Sequence, residues 1–191
     1  MSEQLHIVAI GGTLRANSST ERALRAALAV AERRGASTAI VTGEELHLPP
    51  YTPEIEERCE AAARLVAALR KADGVIIGSP GYHGGISGLV KNALDYVEDM
   101  RADDRCYLDG LPVGCIATAA GWQGAVATLV QLRSVVHALR GWPTPLGVAI
   151  NTAAGCGDPI TTDPVPAQIE MIVDQIFRFG TRRHLALDAA L

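Results

Sequence analysis

The chain is poor in the features that mark several protein classes. No run approaches the ~18 consecutive apolar residues that a membrane-spanning helix needs. The N-terminal stretch MSEQLHIVAI holds no basic region, no apolar segment of signal length and no cleavage motif, so a cytoplasmic rather than a secreted protein is expected. The four cysteines, Cys59, Cys106, Cys115 and Cys156, share no CxxC spacing, and the five histidines form no HxH or HxxxH pair. A disulfide framework and a metal site are therefore not expected, and reduced thiols are. Basic charge is scarce as well. The formal net charge is −4, and no basic stripe of the kind that binds phosphate backbones is visible, which argues against nucleic acid as a partner. The one basic cluster, Arg182-Arg183-His184, reads as a helix-end charge group.

What remains is ordinary globular composition, 48% hydrophobic and 20% charged, with 19 glycines and no linker, repeat or low-complexity segment. The 191 residues fit a single domain, 1–191, with 181–191 as a polar, flexible tail. Apolar runs and helical patterns alternate throughout. Residues 5–10, 37–42, 74–78, 112–119 and 146–150 read as strands, most of them nearly continuous in apolar or β-branched residues, as strands buried on both faces should be. Residues 20–34, 54–71, 87–99, 124–140 and 166–180 read as helices by apolar spacings of three and four, and 46–53, with three prolines, as loop. This alternation implies an α/β fold, a doubly wound three-layer sandwich around a five-stranded parallel sheet. In such a sheet ligands bind beyond the carboxyl ends of the strands, near the topological switch point.

Three loops lie at that edge. The first, Gly11-Gly12-Thr13-Leu14-Arg15-Ala16-Asn17-Ser18-Ser19-Thr20, joins free backbone N–H groups, hydroxyls and one arginine at a helix N-terminus. That suits a phosphate monoester, while the absence of GxGxxG and of a Walker lysine excludes the dinucleotide and nucleotide-triphosphate fingerprints. The same stretch also reads as a plain turn in which Ser18 and Glu21 form a capping box. The second loop runs from Ser79 through Pro80, Gly81, Tyr82, His83 and Gly84 to Gly88, offering backbone that can approach a flat ring, a tyrosine at a strand's C-terminal end rather than in a core period, and a histidine donor. The third, Thr118-Ala119-Ala120-Gly121-Trp122-Gln123-Gly124, lets backbone approach a ligand closely, or is a tight turn capped by a tryptophan.

Gly11-Gly12-Thr13-Leu14-Arg15 with Asn17-Ser18 resembles the phosphate loop GSxRxxS of the NADPH-dependent FMN reductases, a family of flavodoxin-like fold. The segment from Ser79-Pro80-Gly81-Tyr82 through Gly88, Lys91-Asn92 and Leu94-Asp95 resembles that family's second signature, SPxYxxSxxGxLKNxLD. Thr13 stands where serine is common, His83 where asparagine is frequent and Gly85 where serine is frequent. The likeness runs from Leu5 to about Asn151, and the stretch around Gly121-Trp122 is similar to the branch that supplies reduced flavin to monooxygenases. The resemblance implies that Gly12, Thr13, Arg15, Asn17, Ser18, Ser19 and Thr20 hold the FMN phosphate. It puts Pro80, Gly81, Tyr82, His83 and Gly84 along the isoalloxazine, and Thr118, Ala119, Ala120 and Gly121 on its other side. It further implies NADPH or NADH as hydride donor, a homodimer or homotetramer and a flavin-dependent monooxygenase as partner.

No side chain is assigned an acid or base role, because in hydride transfer the cofactors carry the reactivity. Two other readings share the fold: a quinone or azo reductase with prosthetic FMN, and a flavodoxin-type electron carrier. The carrier's usual TxTGxT phosphate loop is missing.

Overall fold

The computed structural model describes residues 4–153 and 157–188. Strands β1 (His6–Gly11), β2 (Ser37–Val41), β3 (Gly74–Tyr82) and β5 (Pro112–Ala119) lie parallel in the order β2-β1-β3-β5. The position beyond β5 is shared by two short parallel strands, β6 (Trp142–Pro143) on its first half and β7 (Val148–Asn151) on its second. The fifth strand expected at 146–150 is β7, beginning two residues later; β6 is not among the expected strands, nor is the two-residue strand β4 (Gly85–Ile86), which folds back antiparallel on β3. This order, with β1 and β3 on either side of the reversal, is that of the flavodoxin-like doubly wound sandwich.

Side chains alternate across each strand, so one run of apolar residues feeds two cores. Ile7 and Ala9 of β1 and Ile76 of β3 face helices α1 (Ser19–Arg33) and α5 (Val165–Asp188), meeting Leu24, Ala27, Ile172 and Ile176. Val8, Ile10, Val75 and Ile77 face the opposite layer, made by α2 (Glu60–Lys71), α3 (Gly88–Asp95) and α4 (Trp122–Ala138), through Leu65, Leu69, Leu94, Leu132 and Val136. Helix α5 passes the break expected at Gly180 and continues to Asp188; residues 189–191 of the expected tail, and Cys156, lie outside the described residues.

Helix α2 starts at Glu60, six residues later than expected from the pattern beginning at 54. The reason is Arg58. Its guanidinium pairs with both carboxylate oxygens of Asp99 at 2.8 and 2.7 Å and donates to the carbonyls of Thr52 and Ile55. It also lies 4.8 Å from the ring centre of Tyr51 and 5.4 Å from that of Tyr96. This clasp holds 52–58 as a hooked loop. Asn92 of α3 completes the anchoring: its amide donates to the carbonyls of Leu48 and Pro49 and accepts the Tyr51 N–H at 2.8 Å.

Candidate functional site

Strand β1 ends at Gly11, whose φ of +137° and lack of a side chain are both required, since a Cβ there would lie 1.8 Å from the carbonyl oxygen of Gly78. Gly12 then donates its N–H to that same carbonyl at 3.3 Å. The Thr13 hydroxyl accepts the Arg15 N–H at 3.1 Å, tightening the loop. Ser18 is the N-cap of α1, accepting the Glu21 N–H at 3.2 Å. Only half of the expected capping box forms, because the Glu21 carboxylate turns to the N–H of Asn17 instead, at 3.0 Å. The first-turn N–H groups of Ser19 and Thr20 have no partner among the described residues.

Charge around this loop is unevenly spent. Arg22 is paired with Asp158, and Arg25 with Glu21. The Arg15 guanidinium is exposed and has no acidic or carbonyl partner among the described residues. A cation on the same cleft wall as two N–H groups without partners among the described residues, at a helix N-terminus, is an arrangement suited to an anion.

The second loop is more ordered than its glycines suggest. Strand β3 runs on to Tyr82, and His83 (φ +52°) and Gly84 (φ +84°) form a two-residue turn into β4. Two consecutive left-handed residues match the twist of a hairpin. Side chains of α4 bolt the hairpin down: Gln131 donates its amide to the Gly84 carbonyl at 3.0 Å and accepts the Ile86 N–H at 3.4 Å, and the Thr128 hydroxyl donates to the Gly85 carbonyl at 3.3 Å. The lack of a side chain at Gly81 also serves this packing, because a Cβ there would lie 2.5 Å from the Thr128 hydroxyl oxygen. Tyr82 is left 56% exposed at the mouth of the site.

The three loops enclose a cleft of about 640 Å³ at the carboxyl edge of the sheet, within the usual ligand-site range of roughly 300–1,000 Å³. Thr13, Leu14, Arg15, Ser18, Ser19 and Thr20 form one wall, Pro80, Gly81 and Tyr82 another, and Thr118, Ala119 and Ala120 a third. Among the sequence-expected site residues, Gly12, Asn17, His83, Gly84 and Gly121 do not line it. Gly12 is buried against Thr42, Asn17 is exposed and gives its backbone N–H to Glu21, and His83 and Gly84 sit at the exposed tip of the hairpin. Thr152 lines the cleft and was not foreseen. It follows β7 and donates its N–H to the Ala119 carbonyl at 2.8 Å, so its place after the fifth strand of the edge was the signal available. No group of three or more His, Cys, Asp or Glu side chains converges among the described residues, and no described helix is long and apolar enough to cross a membrane.

A family model described as NADPH-dependent FMN reductase matches residues 5–155. The chain belongs to that family. It is 35% identical over 105 residues to an FMN-dependent NADPH-azoreductase of Staphylococcus aureus (strain USA300), a match covering 55% of this chain and 52% of that protein. It is 33% identical over 88 residues to an NADPH azoreductase of Bacillus sp. (strain OY1-2), covering 46% of each. The chain thus spans about half the length of the curated relatives it matches. Among solved structures, the NAD(P)H:(acceptor) oxidoreductase FerB of Paracoccus denitrificans shares its fold at a TM-score of 0.74 and 20% identity, over 92% of this chain and 98% of that one. The NADH:FMN oxidoreductase EMOB, in its apo form, does so at 0.66 and 24%, over 93% and 89%.

Proposed function

We propose that this chain is an NAD(P)H-dependent FMN reductase in which residues 1–191 form one FMN-binding domain. The observation that carries the reading is a cleft wall that holds the Arg15 guanidinium together with the Ser19 and Thr20 N–H groups, none of them partnered among the described residues, with Pro80, Gly81, Tyr82, Ala119 and Ala120 on the other walls. Arg15, the Ser18 and Ser19 hydroxyls and the start of α1 would hold the FMN phosphate. Pro80, Gly81 and Tyr82 would lie along one side of the ring system, with Ala119 and Ala120 along the other. FMN, when bound, supplies the hydride-accepting chemistry, with NADPH or NADH as donor. The protein's part is to bind, orient and shield, and no side chain in the cleft is assigned as an acid or base.

The matched azoreductases favour a second reading on the same site, in which FMN stays bound and an azo dye or quinone is the acceptor. An assembly of two or four copies is supported by Trp122, Val126 and Val130, which leave an exposed apolar stripe along α4 beside the cleft. A cytoplasmic location is supported by the free thiols Cys59, Cys106 and Cys115. Steady-state NADPH oxidation by the purified protein, with and without added FMN, tests the proposal. Turnover that requires and saturates with free FMN marks a flavin-releasing reductase that could serve a monooxygenase. A yellow protein active only with added dye or quinone marks the second reading, and no NAD(P)H oxidation under any condition overturns both.

A further inference from the structure

Glu21 is a carboxylate beside the site that the proposed chemistry leaves unused. It is the third residue of α1, its side chain is 8% exposed, and it does not line the cleft. One oxygen accepts the Asn17 N–H at 3.0 Å, and the other receives two nitrogens of Arg25, at 2.9 and 2.7 Å. Asn17 is held in a left-handed backbone conformation, φ +56°, immediately before the N-cap. A buried acid this close to an anion site would repel the ligand if left uncompensated, and Arg25 supplies the compensation.

We propose that Glu21 is a positioning residue for the anion loop: by capturing the Asn17 N–H it fixes the reversal at Asn17, so that Ser18 caps α1 while the Ser19 and Thr20 N–H groups are left open to the cleft that Arg15 also lines, and this makes the cleft selective for a phosphorylated flavin over riboflavin. The inference rests on the FMN reading above and adds to it the residue that sets discrimination at the phosphate end. Glu21 acts through backbone geometry and touches no ligand. Its loss leaves the Asn17 N–H without its acceptor, and the loop loses the geometry that aims its donors.

The test is the dissociation constant for FMN and for riboflavin, measured by flavin fluorescence on the full chain and on Glu21→Ala and Glu21→Gln. The wild-type protein is expected to bind FMN more tightly than riboflavin. Glu21→Ala is expected to lose about tenfold in FMN affinity, the scale of one buried hydrogen bond to a charged group, with riboflavin affinity unchanged. Glu21→Gln keeps an acceptor for the Asn17 N–H and is expected to restore most of the FMN preference. A Glu21→Ala protein whose FMN-to-riboflavin ratio matches wild type, whether both affinities fall or neither does, overturns the proposal, and so does a Glu21→Gln protein as defective as Glu21→Ala. If Glu21→Ala does not fold, Arg25→Met carries the test, since it strips the compensating cation and should lower the same ratio; an unchanged ratio there overturns the proposal. A wild-type protein indifferent to the phosphate overturns the FMN site itself, and a protein that discriminates in the wild type but not through Glu21 overturns only this inference.

Discussion

The hydroxyls of Thr20 and Thr118 are hydrogen-bonded to each other at 2.6 Å, across 98 residues of chain. Both residues are almost wholly buried, at 1% and 4% exposure, at the floor of the cleft. The bond ties the first turn of α1 to the end of β5, so it joins the phosphate side of the proposed site to the opposite wall. Replacing Thr118 with valine keeps the shape and leaves the Thr20 hydroxyl unpaired, which should cost about 1–3 kcal/mol. The double variant Thr20→Val/Thr118→Val should cost less than the sum of the two single changes. Urea unfolding of all four proteins measures this, and strict additivity would show that the pair carries no coupling.

Arg15 has no competing acidic or carbonyl partner among the described residues, so its contribution to anion binding should be visible directly. Arg15→Ala is expected to weaken FMN binding by roughly 1.5–3 kcal/mol, the range of a charge-assisted hydrogen bond. Its folding stability should stay close to wild type, because the side chain is exposed. Fluorescence titration together with a melting curve checks both halves, and unchanged FMN affinity would remove Arg15 from the site.

Gln131 bridges the hairpin that presents Tyr82. Gln131→Leu should speed amide hydrogen exchange across 82–86 while lowering overall stability by only about 1 kcal/mol, the net worth of a part-exposed side-chain bond. Exchange that stays at the wild-type rate would mean that Thr128 alone secures the turn.

Two carboxylates set an acid dependence of stability. Hydrogen bonding from Arg70 holds Asp103 below its ordinary value of 3.8, and hydrogen bonding from Arg34, with Arg178 nearby, does the same for Asp174. Because the folded pKa is the lower one, the stabilisation is present above the unfolded value and is lost as pH falls through the folded one. Melting temperature should therefore drop on acidification below about pH 4, and Asp103→Asn and Asp174→Asn should each flatten that drop slightly, since both pairs are partly solvated.

Cys115 gives a chemical contrast. Burial pushes its thiol up to about 12, whereas Cys59 is exposed. A maleimide at pH 8 should label Cys59 well before Cys115 in the folded protein, and mass mapping of the labelled peptides reads the order.

The strands and helices were legible because each is written locally. Residues 74–77, Gly-Val-Ile-Ile, bounded by Asp73 and Gly78-Ser79-Pro80, read as a short strand buried on both faces, and the spacing of three and four read over 54–71 holds for 60–71, which is a helix. The errors fall where a distant side chain intervened. Arg58 drew 52–58 into a hook that the helical pattern there did not reveal, and Gln131 with Thr128 turned an expected open loop into a hairpin. Asn92, part of the motif that resembles a family signature, anchors the proline-rich loop at Leu48 and Pro49.

By itself the sequence determined the layering of this protein and the edge of the sheet where a ligand belongs, because hydrophobic period and glycine position act over a few residues. Tertiary structure alone decided which loop residues face the cleft. Thr152 enters it and is held to Ala119, and Thr20 and Thr118 meet at its floor, because each outcome depends on a hydrogen bond that forms only after the sheet has brought separate turns together.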